Sequence, residues 1–272
     1  MSNDVQFGRS ATTAATAAAR RVVSVVACGG VGGAFGAGLR ARLRGRPEVG
    51  FRYCDTARPA DVPTTQFTEL RPDFLPDTVD ERLAALLAHV GVQPAEYRRW
   101  KLHVGAAGIA QLPFLANVGG MYKVDELRAA IESDFRALSA AAGGAGSSWL
   151  VTVASGLGGT GAPLSRVAGL AFRIAVDGIA ADSHWLHVMV TSSVLPSEVV
   201  SRRTRALEHR QLIELRRLMS PEARLTLPGR RAPIEKPGPD SVWLVASCAE
   251  APRSIDEAMD EVAAVIANLV TT

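Results

Sequence analysis

The sequence predicts an α/β chain built on a doubly wound, mainly parallel six-stranded sheet. Short β-branched runs alternate with longer stretches whose apolar residues recur every three or four positions, the order that builds βαβ units. Two of those runs are each followed by a glycine cluster and then a helical stretch, as at the carboxyl ends of parallel strands.

Residues 1–20 are rich in Ala, Ser and Thr, show no periodic apolar face, and read as a flexible tail before a nucleotide-binding domain over 21–272. Arg20-Arg21 before an apolar run mimics a secretory signal. The run is short and broken by Ser24, so Val22–Ala27 is better read as a first, buried strand. Gly29-Gly30-Val31-Gly32-Gly33-Ala34-Phe35-Gly36 is then a loop leading into a helix with Leu39 and Leu43. A second strand covers Gly50–Cys54, residues 57–76 are irregular, and Val79, Leu83, Leu86 and Leu87 mark a helix. Lys101–Val104 is the expected third strand, ahead of Gly105-Ala106-Ala107-Gly108. Leu127, Ile131, Phe135 and Leu138 share one face of a helix over Val124–Leu138. Gly143–Ser148 is a flexible link to a fourth strand, Trp149–Ala154. A second glycine turn follows, then a helix through Val167, Leu170 and Ile174 and a fifth strand at Trp185–Thr191. Leu207–Met219 is an amphipathic helix, 220–240 a Pro/Arg-rich loop, Val242–Ala246 the sixth strand, and Ile255–Val270 the closing helix.

Composition narrows the function. The net charge is +3 and the arginines are scattered among acids, so no basic stripe suits nucleic acid. Apolar runs are all too short to span a membrane. Cys28, Cys54 and Cys248 are far apart, and buried thiols in a cytoplasmic protein are the expectation. His89, His103, His184, His187 and His209 lack ligand spacing, so no metal site is expected. Ser155 is not in a G-x-S-x-G elbow, and no residue stands out as catalytic.

The glycine turns carry the chemistry. Glycine lets bare amides approach a phosphate, and the following helix points its positive end at the anion. In a 3-2-1-4-5-6 sheet the first and fourth strands are neighbours at the switch point, so two such turns facing one crevice suit a di- or triphosphate. Neither turn has the Lys-Ser/Thr of a P-loop. Gly36-x-Gly38-x-x-Ala41 fits a dinucleotide fingerprint with Asp55 as ribose acceptor, but it starts late and leaves the second turn unused.

The second turn, Leu157-Gly158-Gly159-Thr160-Gly161-Ala162-Pro163, resembles the glycine signature of the tubulin/FtsZ family, with Leu157 and Pro163 as departures. It is nearer the divergent bacterial tubulin-like proteins than tubulin or FtsZ proper. Cys28-Gly29-Gly30-Val31-Gly32-Gly33 resembles that family's first phosphate loop. The resemblance implies binding of GTP or GDP, with Mg2+ as a companion ion. Contacts would come from Gly29, Gly30, Val31, Gly32, Gly33, Gly158, Gly159, Thr160 and Gly161, with Asp55 at the nucleotide or its metal. It also implies a γ-phosphate sensor at Ala106, Ala107 and Gly108, and ribose contacts from Glu198 with Arg202 or Arg203. The family's second domain and activating loop are not found before Thr272, and Ser247-Cys248-Ala249-Glu250 stands where a guanine-reading Asn is expected. Any GTPase activity would then be slow and dependent on an acid supplied in trans, through self-association or a companion protein. A Rossmann-type NAD(P) enzyme and a non-catalytic interaction module on the same fold remain as alternatives.

Overall fold

The computed structural model describes residues 20–55, 67–69 (backbone), 78–102, 113–144, 146–175, 182–195, 197, 200–230, 232–248 and 253–271. In chain order the elements are β1 (Arg21–Cys28), α1 (Gly29–Arg42), β2 (Val49–Asp55), β3 (Phe67–Glu69), α2 (Glu81–His89), α3 (Pro94–Lys101), α4 (Pro113–Tyr122) and α5 (Val124–Ala141). They continue with β4 (Ser147–Ser155), α6 (Gly161–Ala175), β5 (Asp182–Val190), a short 3-10 turn (Ser192–Val194), α7 (Arg202–Leu218), β6 (Arg224–Leu225), β7 (Ile234–Glu235), β8 (Ser241–Val245) and α8 (Ile255–Thr271).

The body of the sheet runs β2-β1-β4-β5-β8 with every neighbouring pair parallel, and the three-residue β3 adds alongside β2. Burial on both faces explains the β-branched composition of β1, where every residue after Arg21 is buried. Alternate residues serve opposite cores. Val22 and Val26 pack with Leu150, Trp185 and the helices α2, α4, α5 and α6. Val23 and Val25 pack with Val151, Val153 and Val188 against Phe35 and Leu39 of α1 and Met259, Val262 and Ile266 of α8.

Helix α6 is buried continuously from Gly161 to Phe172, pressed between sheet, α4 and α5. Helix α5 buries the face read from the sequence, Leu127, Ile131, Phe135 and Leu138. Among the described residues, no helix is long and apolar enough to cross a membrane, and no group of three or more His, Cys, Asp and Glu is placed to hold a metal.

Several expectations need correction. The stretch read as a third strand begins with Lys101, which is the last residue of α3, and residues 103 and 104 lie outside the described set. Pro at the first turn and a Gln93/Glu96 capping box start that helix, signals that outweigh its single buried side chain, Tyr97. The edge of the sheet is β3 instead, inside the stretch read as irregular; three residues are too few to show a period. Helix α4 was also missed, because Gly119-Gly120 lowers its helix propensity. The link 143–148 is shorter than expected: Gly143 and Gly144, at φ +75° and +107°, make the turn, and Ser147 already belongs to β4. The 220–240 loop holds an antiparallel pair, β6 with β7, closed by an Arg224–Glu235 ion pair at 2.6 Å. Cys28 and Cys54 are buried as expected, but Cys248 is exposed.

Candidate functional site

Strands β1 and β4 lie side by side in register, Cys28 opposite Ala154, so both end at the same edge of the sheet. The strand after β1 is placed on one side of this pair and the strand after β4 on the other, which makes the pair the switch point of the sheet. The first glycine run is not a separate loop. It forms the opening turn of α1, which starts immediately after Cys28 because Gly29 turns the corner at φ +71°.

The two turns meet backbone to backbone. A Cβ on Gly29 would stand 2.8 Å from both the amide nitrogen and Cα of Gly161, and one on Gly161 would stand 2.7 Å from the Cys28 carbonyl oxygen. Gly32 is pressed as closely on β4, its would-be Cβ 2.6 Å from the Val153 oxygen. These three glycines let two helices start in contact, and their absence of a side chain is accounted for by packing.

Gly30, Gly33 and Gly158 are different. A Cβ on Gly30 or Gly33 would meet no heavy atom within 4 Å, and one on Gly158 would meet only the Thr160 amide nitrogen, at 4.0 Å. Their φ angles lie outside the left-handed range, so the backbone does not require glycine there either. Val31 and Thr160 are half-buried beside them, and Gly159 is buried.

The electrostatics favour an anion at this edge. The N-terminal amides of α1 receive no side-chain cap from Cys28, and neither α1 nor α6 has an acid in its first turn. Burial first, then contact with the register-matched Cys54 thiol, pushes the Cys28 thiol well above its usual range and disfavours the thiolate.

Other expected residues take their places as follows. Asp55 closes β2, half-buried, beside Cys54 and opposite Glu69 of β3. Arg202 is the exposed first residue of α7, after a Ser201–Thr204 capping box. Ala106, Ala107, Gly108, Glu198 and Glu250 lie outside the described residues.

Sequence reasoning missed Glu208. Its carboxylate accepts a hydrogen bond from the Ser192 amide at 2.6 Å, and its Cγ would lie 3.1 Å from a Cβ on Gly156, so it ties α7 to the ends of β4 and β5. A lone acid within a charged amphipathic helix gives no signal of that role. A second tie runs through hydroxyls: Thr191 donates to the Val245 carbonyl at 2.9 Å, and Ser193 accepts from the Ser247 amide at 2.9 Å.

No family model matches the chain, and neither does any curated protein. A solved structure does. The monomeric subunit of TubZ from Bacteriophage PhiKZ is similar to this chain with a TM-score of 0.42 and 10% identity, over 90% of this chain and 60% of that one. The chain thus spans about 60% of that protein's length.

A well-formed cavity lies elsewhere. It measures about 480 Å³, is lined by α2, α5 and the 227–230 turn, and includes no residue of either glycine turn.

Proposed function

We propose that this chain binds a guanine nucleotide, GTP or GDP, with its phosphates against the joined N-termini of α1 and α6. One observation carries the reading: Gly30, Gly33 and Gly158 lack side chains for no reason that packing or backbone conformation supplies, and all three stand at the edge where two helix ends meet. A phosphate tail is suited by that combination of bare approach, an α1 start with no side-chain cap, and positive helix ends. In this reading Gly29, Gly32 and Gly161 build the cradle, and Gly30, Val31, Gly33, Gly158, Gly159 and Thr160 face the phosphates. Asp55 would meet the nucleotide or a companion Mg2+, Ala106, Ala107 and Gly108 the terminal phosphate, and Glu198 with Arg202 the ribose. Neither helix brings an acid in its first turn to orient an attacking water, so hydrolysis would depend on an acid from another chain.

The dinucleotide alternative is weaker on geometry. A Cβ on Gly36 would stand 2.4 Å from that of Ala27, and one on Gly38 would stand 2.2 Å from the Met259 sulfur, so the glycines of that fingerprint serve helix packing. In the alternative spacing Gly30-x-Gly32-x-x-Phe35, a fully buried Phe35 stands where the fingerprint wants its third glycine.

The test is to denature the purified protein and identify any released nucleotide by chromatography, with thermal unfolding in added GTP or NAD alongside. Guanine nucleotide in the released fraction, or a GTP-dependent stabilisation of about 2.7 kcal/mol at a hundredfold excess over Kd, is expected. Released NAD(P), or no nucleotide together with no response to GTP, would overturn the reading.

A further inference from the structure

Away from the glycine turns, a second concave region runs between α2, α4, α6, α7 and the β6–β7 pair. It consists of the 480 Å³ cavity and an inner one of about 190 Å³, which abut because Leu86, Met121 and Leu227 line both. The outer volume lies in the range of small-molecule sites, roughly 300–1,000 Å³. The shared floor is apolar, and Val118, Leu170 and Leu218 continue it inward.

At the inner end stands a charge. Arg166, on α6, is 7% exposed at its side chain and is ion-paired with Glu214 of α7, whose side chain is 42% exposed. The pair is asymmetric: the cation is fixed in the interior, and its counter-ion is the group with a route to water. A second cation, Arg210, lies close enough to disfavour the Arg166 charge, and Glu214 opposes it. A buried guanidinium must keep an anion, and a carboxylate entering along the apolar floor can take the place of Glu214 with the same charge, leaving the half-exposed Glu214 to return to water.

We propose that this trough binds a small aliphatic carboxylate, its chain lying over Leu86, Met121 and Leu227 and its head group replacing Glu214 on Arg166. The carboxylate class follows from the present partner, since Glu214 already places a carboxylate at that guanidinium. The site shares no lining residue with the glycine turns and does not depend on the nucleotide reading.

The experiment is calorimetric titration of the full chain with decanoate, with decanol, acetate and decyltrimethylammonium as controls for head group and chain. Decanoate is expected to bind at least tenfold more tightly than each control. Glu214→Gln removes the competing carboxylate and is expected to tighten decanoate binding about tenfold, the opposite of what loss of a merely structural ion pair would do. Ala85→Trp places bulk on the exposed wall of the outer cavity and is expected to weaken decanoate binding at least tenfold, so the test survives if the Glu214 variant fails to fold. Equal binding of decanol and decanoate, or decanoate affinity unchanged by Ala85→Trp or by a folded Glu214→Gln, would overturn the proposal.

Discussion

Gly169 and Trp185 show how tightly single positions are set. The indole of Trp185, fully buried, fills the space beside Gly169 of α6 so completely that a Cβ there would stand 2.0 Å from the ring. Gly169→Ala is therefore expected to destabilise the fold by about 1–3 kcal/mol through overpacking, although alanine is the better helix former. A lower urea midpoint at unchanged m-value would show it. The Trp185 indole N–H donates to Thr152 Oγ1 at 2.8 Å, and that oxygen also meets His187 Nδ1 at 2.9 Å. Burial first, and the neighbouring Arg166 second, hold the His187 ring down to about 4. An unfolded histidine titrates near 6.5, so between these values the unfolded chain binds more protons than the folded one. Stability from this group is complete above about pH 6.5 and falls as the pH drops toward 4, by up to roughly 3 kcal/mol. Urea titrations at pH 7, 6 and 5 should show that decline, and His187→Asn should flatten it.

The elements legible in the sequence were those with a period or a buried run. β1 declared itself because both its faces are covered, and α5 because its four apolar positions form a stripe. β3 and α4 did not, the first being too short and the second carrying paired glycines. Ties between elements were also hidden, because they depend on which charges the fold brings together. Arg52 of β2 is buried and donates twice to Asp134 of α5, at 2.6 and 2.7 Å. Asp134→Ala takes that bidentate partner from a buried cation and is expected to cost about 3 kcal/mol, which chemical denaturation would measure. The same hidden logic placed Glu208 across the ends of β4 and β5.

At the scale of the whole molecule, the sheet order puts the two glycine turns together. Their spacing along the chain says nothing of that; the parallel pairing of β1 with β4 does. The sequence marked the glycines as one class, whereas the fold divides them into those pressed against backbone and those facing open space. That division was out of reach from residue types alone, because it depends on what the neighbouring strand presents. Gly30 and Gly33 test it most directly, since in a helix each substitution to alanine should raise stability by about 0.5–1 kcal/mol where no ligand needs the space. The decisive measurement is GTP affinity and unfolding free energy on one Gly30→Ala/Gly33→Ala double variant. A more stable protein whose GTP affinity has fallen at least tenfold is the expected result; unchanged GTP affinity in that more stable protein would contradict the phosphate cradle.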